Sequence, residues 1–384
     1  MSPRRIASLS SLVLAALIAS ALPARGGAPP GAGALQRAID HLTERPEGPP
    51  GAIVLVQRGS ELRVFRAGVG NVRTGKAMQP WKHMRIASTA KAYSGGVALS
   101  LVDRGLLSLD DTIAELLPWA PDAWGEVTLG QALHHTSGIP DFSTSQAFLD
   151  HLLANLDDPV KPRELLDFVA DEDLEFDPGS EYRYSNSDNV VVALMAAKVT
   201  GHRYERVLRD EVLRPLRLRD TSLPSGVDMP KPFIRGYDFD DQGDPEDVSE
   251  LFAAGYAWAS GGIVSTPLDQ NRFIRAYVGR ELFGAATRAE QFDFIPGGSS
   301  EPPGPGRNAA GLAIFRYRTR CGTVFGHTGN TAGYTQFFAA SRNGGRSVVV
   351  SINRQAVPAM QPDIFKELRR VFLLAVCTAN SGRR

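Results

Sequence analysis

Strand-type and helix-type hydrophobic patterns separate the two ends of this chain from its middle. Residues 34–45 carry a short helical pattern. Residues 52–57 and 62–67 are apolar, partly alternating runs around Arg58-Gly59-Ser60-Glu61, which reads as a hairpin. Helical spacing then takes over. Residues 88–103 repeat apolar positions at Ala92, Tyr93, Val97, Leu99 and Val102, and Thr128 with Gln131 has the form of a capping box. Residues 189–200 form an apolar helix stopped by Gly201, 204–213 end before Pro215, and Thr266-Pro267 with Asp269 opens a further helix. Strand character returns at 311–317, 323–327, 334–340 and 346–353, the last two joined by Arg342-Asn343-Gly344-Gly345, a strong hairpin signal. Residues 363–376 are a closing amphipathic helix, and the Gly- and Pro-rich stretch 293–310 reads as a loop. Strands at both ends with helices between them predict an α/β fold: an antiparallel sheet built from both chain ends, flanked by helices, with an inserted all-helical lobe. The sheet part is expected at about 34–104 and 256–377 and the lobe at about 105–255, within one domain spanning 34–377.

Composition narrows the classes. The chain has 384 residues, 43% hydrophobic and 22% charged, which is globular and not disordered. Lys plus Arg and Asp plus Glu are 42 each, so neither a basic nucleic-acid footprint nor an acidic tail is present. Arg4 and Arg5, the apolar run 12–21 and the small residues Ala19-Ser20-Ala21 have the form of a secretory signal, taken as 1–24. An uncleaved anchor is the alternative, since 6–24 carries no charge. No later segment is long enough to span a bilayer, and an exported protein, secreted or periplasmic and monomeric, is expected. Two cysteines, Cys321 and Cys377, suggest one disulfide in an oxidising compartment; two free buried thiols are the alternative. Neither has a Cys or His at ligand spacing, and no metal or cofactor is expected.

Three short motifs carry candidate chemistry. Ser88-Thr89-Ala90-Lys91 is the one S-x-x-K in the chain, at a predicted helix start. Positions i and i+3 are neighbours on a helix, so a neutral Lys91 amine could take the Ser88 hydroxyl proton. In Tyr184-Ser185-Asn186, an extended segment would turn Tyr184 and Asn186 to one side, one to relay a proton and one to bond a substrate amide. In His327-Thr328-Gly329, on a predicted strand, Gly329 permits close approach of a ligand to the backbone. His327 would offer an imidazole, and the next amide, of Asn330, an oxyanion donor. Each motif alone is equally well read as structural: a solvated helix end, a polar turn, a satisfied histidine.

Together, in this order, the motifs resemble the active-site signature of the penicillin-recognising serine hydrolases. Y-x-N points to the branch of class C β-lactamases and D-alanyl-D-alanine carboxypeptidases, and H-T-G looks most like its secreted carboxypeptidases. Leu133-His134-His135-Thr136-Ser137-Gly138-Ile139-Pro140-Asp141, Arg214-Pro215-Leu216 and Ala259-Ser260-Gly261-Gly262 also resemble family stretches, and the likeness covers about 35–377. It implies a site in the cleft between sheet and lobe. Ser88 would be the nucleophile, Lys91 and Tyr184 its proton carriers, and Asn186 the group that orients the acyl-side amide. His327, Thr328, Gly329 and Asn330 would line the substrate, with the amides of Ser88 and Asn330 as the oxyanion hole. It also supports a Cys321–Cys377 bridge, since those carboxypeptidases carry a Cys before H-T-G and one on the last helix. Ser187-Asp188-Asn189 spells the S-D-N of class A enzymes, but its long interval from Ser88 and the H-T-G partner favour Tyr184 and Asn186 as the second motif.

Two departures touch specificity. Six residues before the strand Cys, where the carboxypeptidases place an Arg for the substrate's terminal carboxylate, stands Phe315, expected to offer apolar surface to an uncharged leaving group. Arg316 and Arg318 fall on the opposite face by alternation, and Asn330 replaces a hydroxyl. Tyr256 or Trp258 would wall the site, or simply pack the core. The resemblance implies an acyl-Ser88 hydrolase, D-alanyl-D-alanine carboxypeptidase-like or β-lactamase-related, acting on a peptidoglycan-type peptide or a β-lactam. A D-amino-acid peptidase, amidase or esterase on the same scaffold is the alternative, and a slowly deacylating β-lactam-binding protein is the alternative from another class.

Overall fold

The computed structural model describes residues 31–279, 281–296, 298 and 308–381; the expected signal segment 1–24 lies outside them. The chain opens with α1 (Ala32–Glu44), then β1 (Gly51–Arg58), β2 (Glu61–Asn71) and β3 (Lys76–Ala77). The helices of the middle include α2 (Ala90–Asp103), α3 (Leu129–His134), α4 (Gln146–Ala154), α5 (Asn186–Thr200) and α6 (Pro267–Val278). The end supplies β4 (Ile295–Pro296), β5 (Ala309–Gly311), β6 (Ile314–Thr319), β7 (Gly322–Thr331), β8 (Tyr334–Ala340), β9 (Arg346–Ile352) and α7 (Pro362–Asn380). These nine strands make one sheet in the order β3-β2-β1-β9-β8-β7-β6-β5-β4, every pair antiparallel. The two chain ends therefore meet where β1 pairs with β9, Val54 opposite Val350.

The central strands are apolar on both faces because both faces are covered. In β1, Ala52, Val54 and Val56 enter a rear core with α1 and α7, while Ile53 and Leu55 enter a front core with the middle helices. α2 lies within that front core with Ala90–Leu101 all buried, so its sequence is apolar all round instead of striped. The expected caps are in place: Thr128 and Gln131 form a reciprocal capping box, and Thr266 Oγ1 accepts from the Asp269 N–H ahead of Pro267. Among the described residues no helix is long and apolar enough to cross a membrane.

Three expectations are corrected. The strand expected over 311–317 is two, β5 and β6, because Ala313 turns the chain with φ +50. The stretch 293–310 is not all loop: Ile295 pairs with Ala310, and β4 extends the sheet edge. The helix expected from residue 189 begins at Asn186, because Ser185 stays extended and its Oγ accepts from the Ser187 N–H (3.2 Å).

Cys321 and Cys377 are bonded, joining the β6–β7 turn to α7 across 56 positions of sequence. In the chain-entropy model a loop of that length contributes about 4 kcal/mol. Replacing both by Ser should lower the free energy of urea unfolding by up to that amount, and reductant should reproduce the shift in the wild-type chain. An unmoved urea midpoint would show that the bridge carries no stability.

Candidate active site

Ser88 stands on a sharp turn. Ala87 adopts φ +49, a left-handed conformation that costs a non-glycine residue about 1–2 kcal/mol, and the 3-10 turn Ala87–Thr89 runs straight into α2. Ile86 pins the turn: its N–H donates to Ile263 O (3.1 Å), and its carbonyl accepts from Thr89 Oγ1 (2.7 Å). β7 lies directly against it. A Cβ at Gly329 would fall 2.5 Å from Ile86 O and 2.9 Å from the Ser88 nitrogen, so glycine is required here. What approaches the Gly329 backbone is thus the nucleophile turn itself, not only a ligand. β6 pairs with β7 no further than Gly326, and from His327 onward β7 is paired by β8 alone. The second edge of 327–331 is left without a strand partner among the described residues.

Lys91 reaches Ser88 as the i, i+3 spacing requires. Its Nζ is fully buried and meets three oxygens: Ser88 Oγ at 3.3 Å, Asn186 Oδ1 at 2.5 Å and Ser260 O at 2.9 Å. Burial pushes Lys91 down to about 7, against the pull of Asp141 and Asp188. A neutral amine has two hydrogens and one lone pair. Asn186 Oδ1 and Ser260 O can only accept, so they hold the two hydrogens, and the lone pair falls to Ser88 Oγ, the one partner with a proton to give. The Asn186 orientation is fixed from its other side, because Nδ2 donates to Asp141 Oδ2 (3.0 Å) and Ser143 Oγ (2.8 Å).

Tyr184 joins the same cluster. Its ring centroid lies 4.8 Å from Lys91 Nζ, and burial pushes its phenol above the ordinary range, against the opposing effect of the Ser88 hydroxyl. His327 lies behind, its ring 6.2 Å from that of Tyr184. Its Nδ1 is 2.6 Å from Thr328 O, so Nδ1 carries the hydrogen and Nε2 is a bare acceptor, without a hydrogen bond among the described residues. Burial, and then the Lys91 charge, hold this imidazole neutral, well below its ordinary range.

An open pocket adjoins Ser88. Phe142 and Ser143 come from the turn before α4, and Phe148 and Leu152, one helical turn apart, from α4 itself. Phe252, Tyr256, Asn186, Ser260, Asn330 and Thr331 complete most of its wall. Tyr256 is locked there, its single hydroxyl hydrogen shared between the carbonyls of Asn155 (2.5 Å) and Asp158 (2.8 Å). Trp258 is not part of it: its Nε1 donates to Glu205 Oε1 (3.0 Å), and its ring packs on Tyr204 in the core.

Of the residues expected to meet substrate, Asn186 and Asn330 line this pocket, with Asn330 Oδ1 held by Thr335 Oγ1 (2.8 Å). His327, Thr328 and Gly329 lie in the adjoining strand, and Thr328 is buried opposite Phe337. Phe315 is a correction. It is 1% exposed and packs in the rear core with Tyr317 and Phe337, its ring edge against His327 at 5.0 Å. The register sets it opposite Gly326, with its ring enclosed in the rear core. Arg316 does take the other face, over the Phe294 ring. Ser187-Asp188-Asn189 is structural: Ser187 Oγ donates to Pro140 O, Asp188 bonds His135 and Ser137, and Asn189 Nδ2 donates to Ser94 Oγ. Tyr256, one of the two residues expected to wall the site, does so, while the sequence reading missed Asp141, Ser143 and the other aromatic residues of the wall; Asp141 closes the 133–141 stretch, but nothing in its spacing says that it reaches Asn186.

Among the described residues no group of three or more His, Cys, Asp or Glu side chains is placed to hold a metal. A family model described as Beta-lactamase matches residues 35–369. The fold is similar to that of a D-stereospecific amidohydrolase from Streptomyces sp., with 26% identity and a TM-score of 0.74 over 85% of this chain and 95% of that one. It is also similar to the D-amino acid amidase from Ochrobactrum anthropi SV3 complexed with L-phenylalanine amide, with 25% identity and a TM-score of 0.78 over 91% and 99%. Penicillin-binding protein 4 of Amycolatopsis lactamdurans is 30% identical over 177 residues, 45% of this chain and 44% of that protein. Protein flp of Staphylococcus aureus (strain MW2) is 27% identical over 188 residues, 48% and 36%. The matches thus span less than half the length of these two curated relatives. With the family model covering most of its length and a serine, lysine and tyrosine converging as described, the chain belongs to the Beta-lactamase family, within the serine penicillin-recognising superfamily.

Proposed function

We propose that this hydrolase cleaves amides or esters of acids with a bulky apolar side chain, D-amino-acid amides and peptides among them, through an acyl-Ser88 intermediate. The observation that carries this reading is the aromatic pocket beside Ser88. Tyr184, the group that would hand a proton to the leaving group, and its neighbours His327 and Thr328 do not line that pocket. The pocket therefore belongs to the acyl side. The names of the two amide hydrolases of similar fold support the same class. A D-alanine methyl group would leave most of the aromatic wall uncovered, which sets the amidase or esterase reading above the carboxypeptidase one. The disulfide and the N-terminal signal pattern support action outside the reducing cytosol.

In the proposed cycle, Ser88 Oγ attacks the carbonyl carbon while its proton passes to Lys91 Nζ. The amides of Ser88 and Asn330 hold the oxyanion, and Asn186 bonds the acyl-side amide. Collapse breaks the bond to the amine or alcohol, which leaves with the proton relayed from Lys91 through Tyr184. Water then attacks the acyl-Ser88 carbonyl by the reverse relay, releasing the acid and restoring the serine.

These roles have measurable consequences. A fluorescent penicillin should acylate Ser88, as peptide mapping would show, and labelling that survives Ser88→Ala would overturn the nucleophile. The kcat/KM for a p-nitrophenyl ester should rise about tenfold per pH unit below 7 and level off above it, because the neutral Lys91 amine is the base and burial sets its midpoint at about 7. Lys91→Arg, which keeps the charge but cannot deprotonate, should abolish that activity. Filling the pocket with a benzyl instead of a methyl group contributes about 2 kcal/mol, so D-phenylalanine amide should exceed D-alanine amide by about 30-fold in kcat/KM. Phe148→Ala should shrink the ratio, and a wild-type preference for D-alanine amide would sink the acyl-pocket assignment.

A further inference from the structure

Two sequence features remain unused by this chemistry: the 133–138 part of the 133–141 stretch, and Asp188. They meet behind Tyr184. His135 ends α3 in a left-handed conformation (φ +57). Its carbonyl accepts from the Arg183 N–H (2.9 Å) and its Nδ1 from the Ser185 N–H (3.4 Å), so one residue grips the main chain on both sides of Tyr184. The imidazole also lies 4.5 Å from the Tyr184 ring centroid, tilted by 38°. The same stretch holds the approach to Tyr184: Thr136 O accepts from the Gly179 N–H (2.7 Å) and Gly138 O from the Glu175 N–H (2.8 Å). Asp188, in the first turn of α5, fixes the imidazole. One of its oxygens is 2.8 Å from His135 Nδ1, and the other accepts from Ser137 Oγ (2.5 Å).

We propose that His135, held by Asp188, is a positioning residue that keeps Tyr184 in place beside Lys91 and Ser88. Tyr184 sits where irregular chain enters α5, with no helix or strand of its own to fix it. Proton relay tolerates little displacement of its hydroxyl, so a clamp on both flanks and on the ring acts on rate more than on affinity. The pair works in neutral form. The 2.8 Å contact between Nδ1 and Asp188 Oδ2 holds one shared proton and is the stronger of the two contacts at Nδ1, the Ser185 N–H lying at 3.4 Å. Burial drives both groups the same way, His135 down to about 3 and Asp188 up. A charged imidazole would face the charge of Lys91, with Asp141 opposing and His134 adding to that effect.

The proposal rests on Tyr184 as the relay, so its test is a double-mutant cycle on p-nitrophenyl butyrate hydrolysis. His135→Gly keeps the left-handed backbone and removes the side chain; His135→Asn tolerates that backbone and restores an acceptor near the Nδ1 position. Each is made in the wild type and in Tyr184→Phe, which itself should lose about 10²-fold in kcat. His135→Gly should lower wild-type kcat at least tenfold with KM within threefold, and His135→Asn should recover most of it. In Tyr184→Phe the same changes should move kcat less than twofold, because the residue they position is already disabled. Asp188→Ala carries the same cycle should His135→Gly fail to fold, with at least a threefold loss in wild type and less than twofold in Tyr184→Phe. Equal losses in both backgrounds would show a general structural role and overturn the proposal, as would an undamaged His135→Gly. A fully active Tyr184→Phe would overturn the relay reading and this proposal with it, which separates the two failures.

Discussion

The site depends on one buried amine and the oxygens around it. Lys91 Nζ has three partners from three separate segments: Ser88 on its own turn, Asn186 at the start of α5, and Ser260 in the short helix Trp258–Gly261. Two of the three are obligate acceptors, and that chemistry alone decides where the lone pair points. The fall from 10.5 to about 7 corresponds to about 5 kcal/mol against the charged form. The fold bears that cost by closing α2 on every side, and in return the amine becomes a usable base near neutral pH. Asp141 is part of the same device at one remove. By taking the Asn186 amide nitrogen, it leaves the amide oxygen as the only atom that side chain can turn toward Lys91.

Much of this was legible in the sequence because it was local. The S-x-x-K spacing fixes the Ser88–Lys91 contact wherever a helix forms, and the hairpin signal at Asn343-Gly344 fixes the neighbours β8 and β9. Side-chain caps at Thr128 and Thr266 were equally local and equally readable. What the sequence could not convey was which distant segment meets which. Asp141 and Asn186 are 45 positions apart, and the aromatic wall gathers Phe142, Phe148, Phe252 and Tyr256 from two segments about a hundred positions apart. Nothing in their periodicity separates them from core residues.

Phe315 shows a different limit. Counting back from Cys321 reaches Phe315 within β6, but the β6–β7 register sets it over Gly326 with its ring in the rear core. Alternation was sound within β6, since Arg316 does take the opposite face. What failed was the link from position in the strand to position in the site. In its place Phe315 packs against His327, edge against ring, within the rear core.

The arrangement also separates machinery from selectivity. Ser88 and Lys91 are held by α2 and the sheet, where Gly329 locks β7 onto the nucleophile turn with no room for a side chain. The pocket wall instead comes from α4, the turn before it and the 252–257 segment, joined to each other by the Tyr256 hydroxyl at the carbonyls of Asn155 and Asp158. Changing Phe148 or Leu152 alters what the wall admits without touching any partner of Lys91. Changing Gly329 must move the nucleophile against its strand, because a methyl group there meets main chain and not a side chain that can yield. Substrate range is therefore the part of this site that substitution can vary most freely, while the proton-handling centre is constrained by contacts that reach from the sheet to α5.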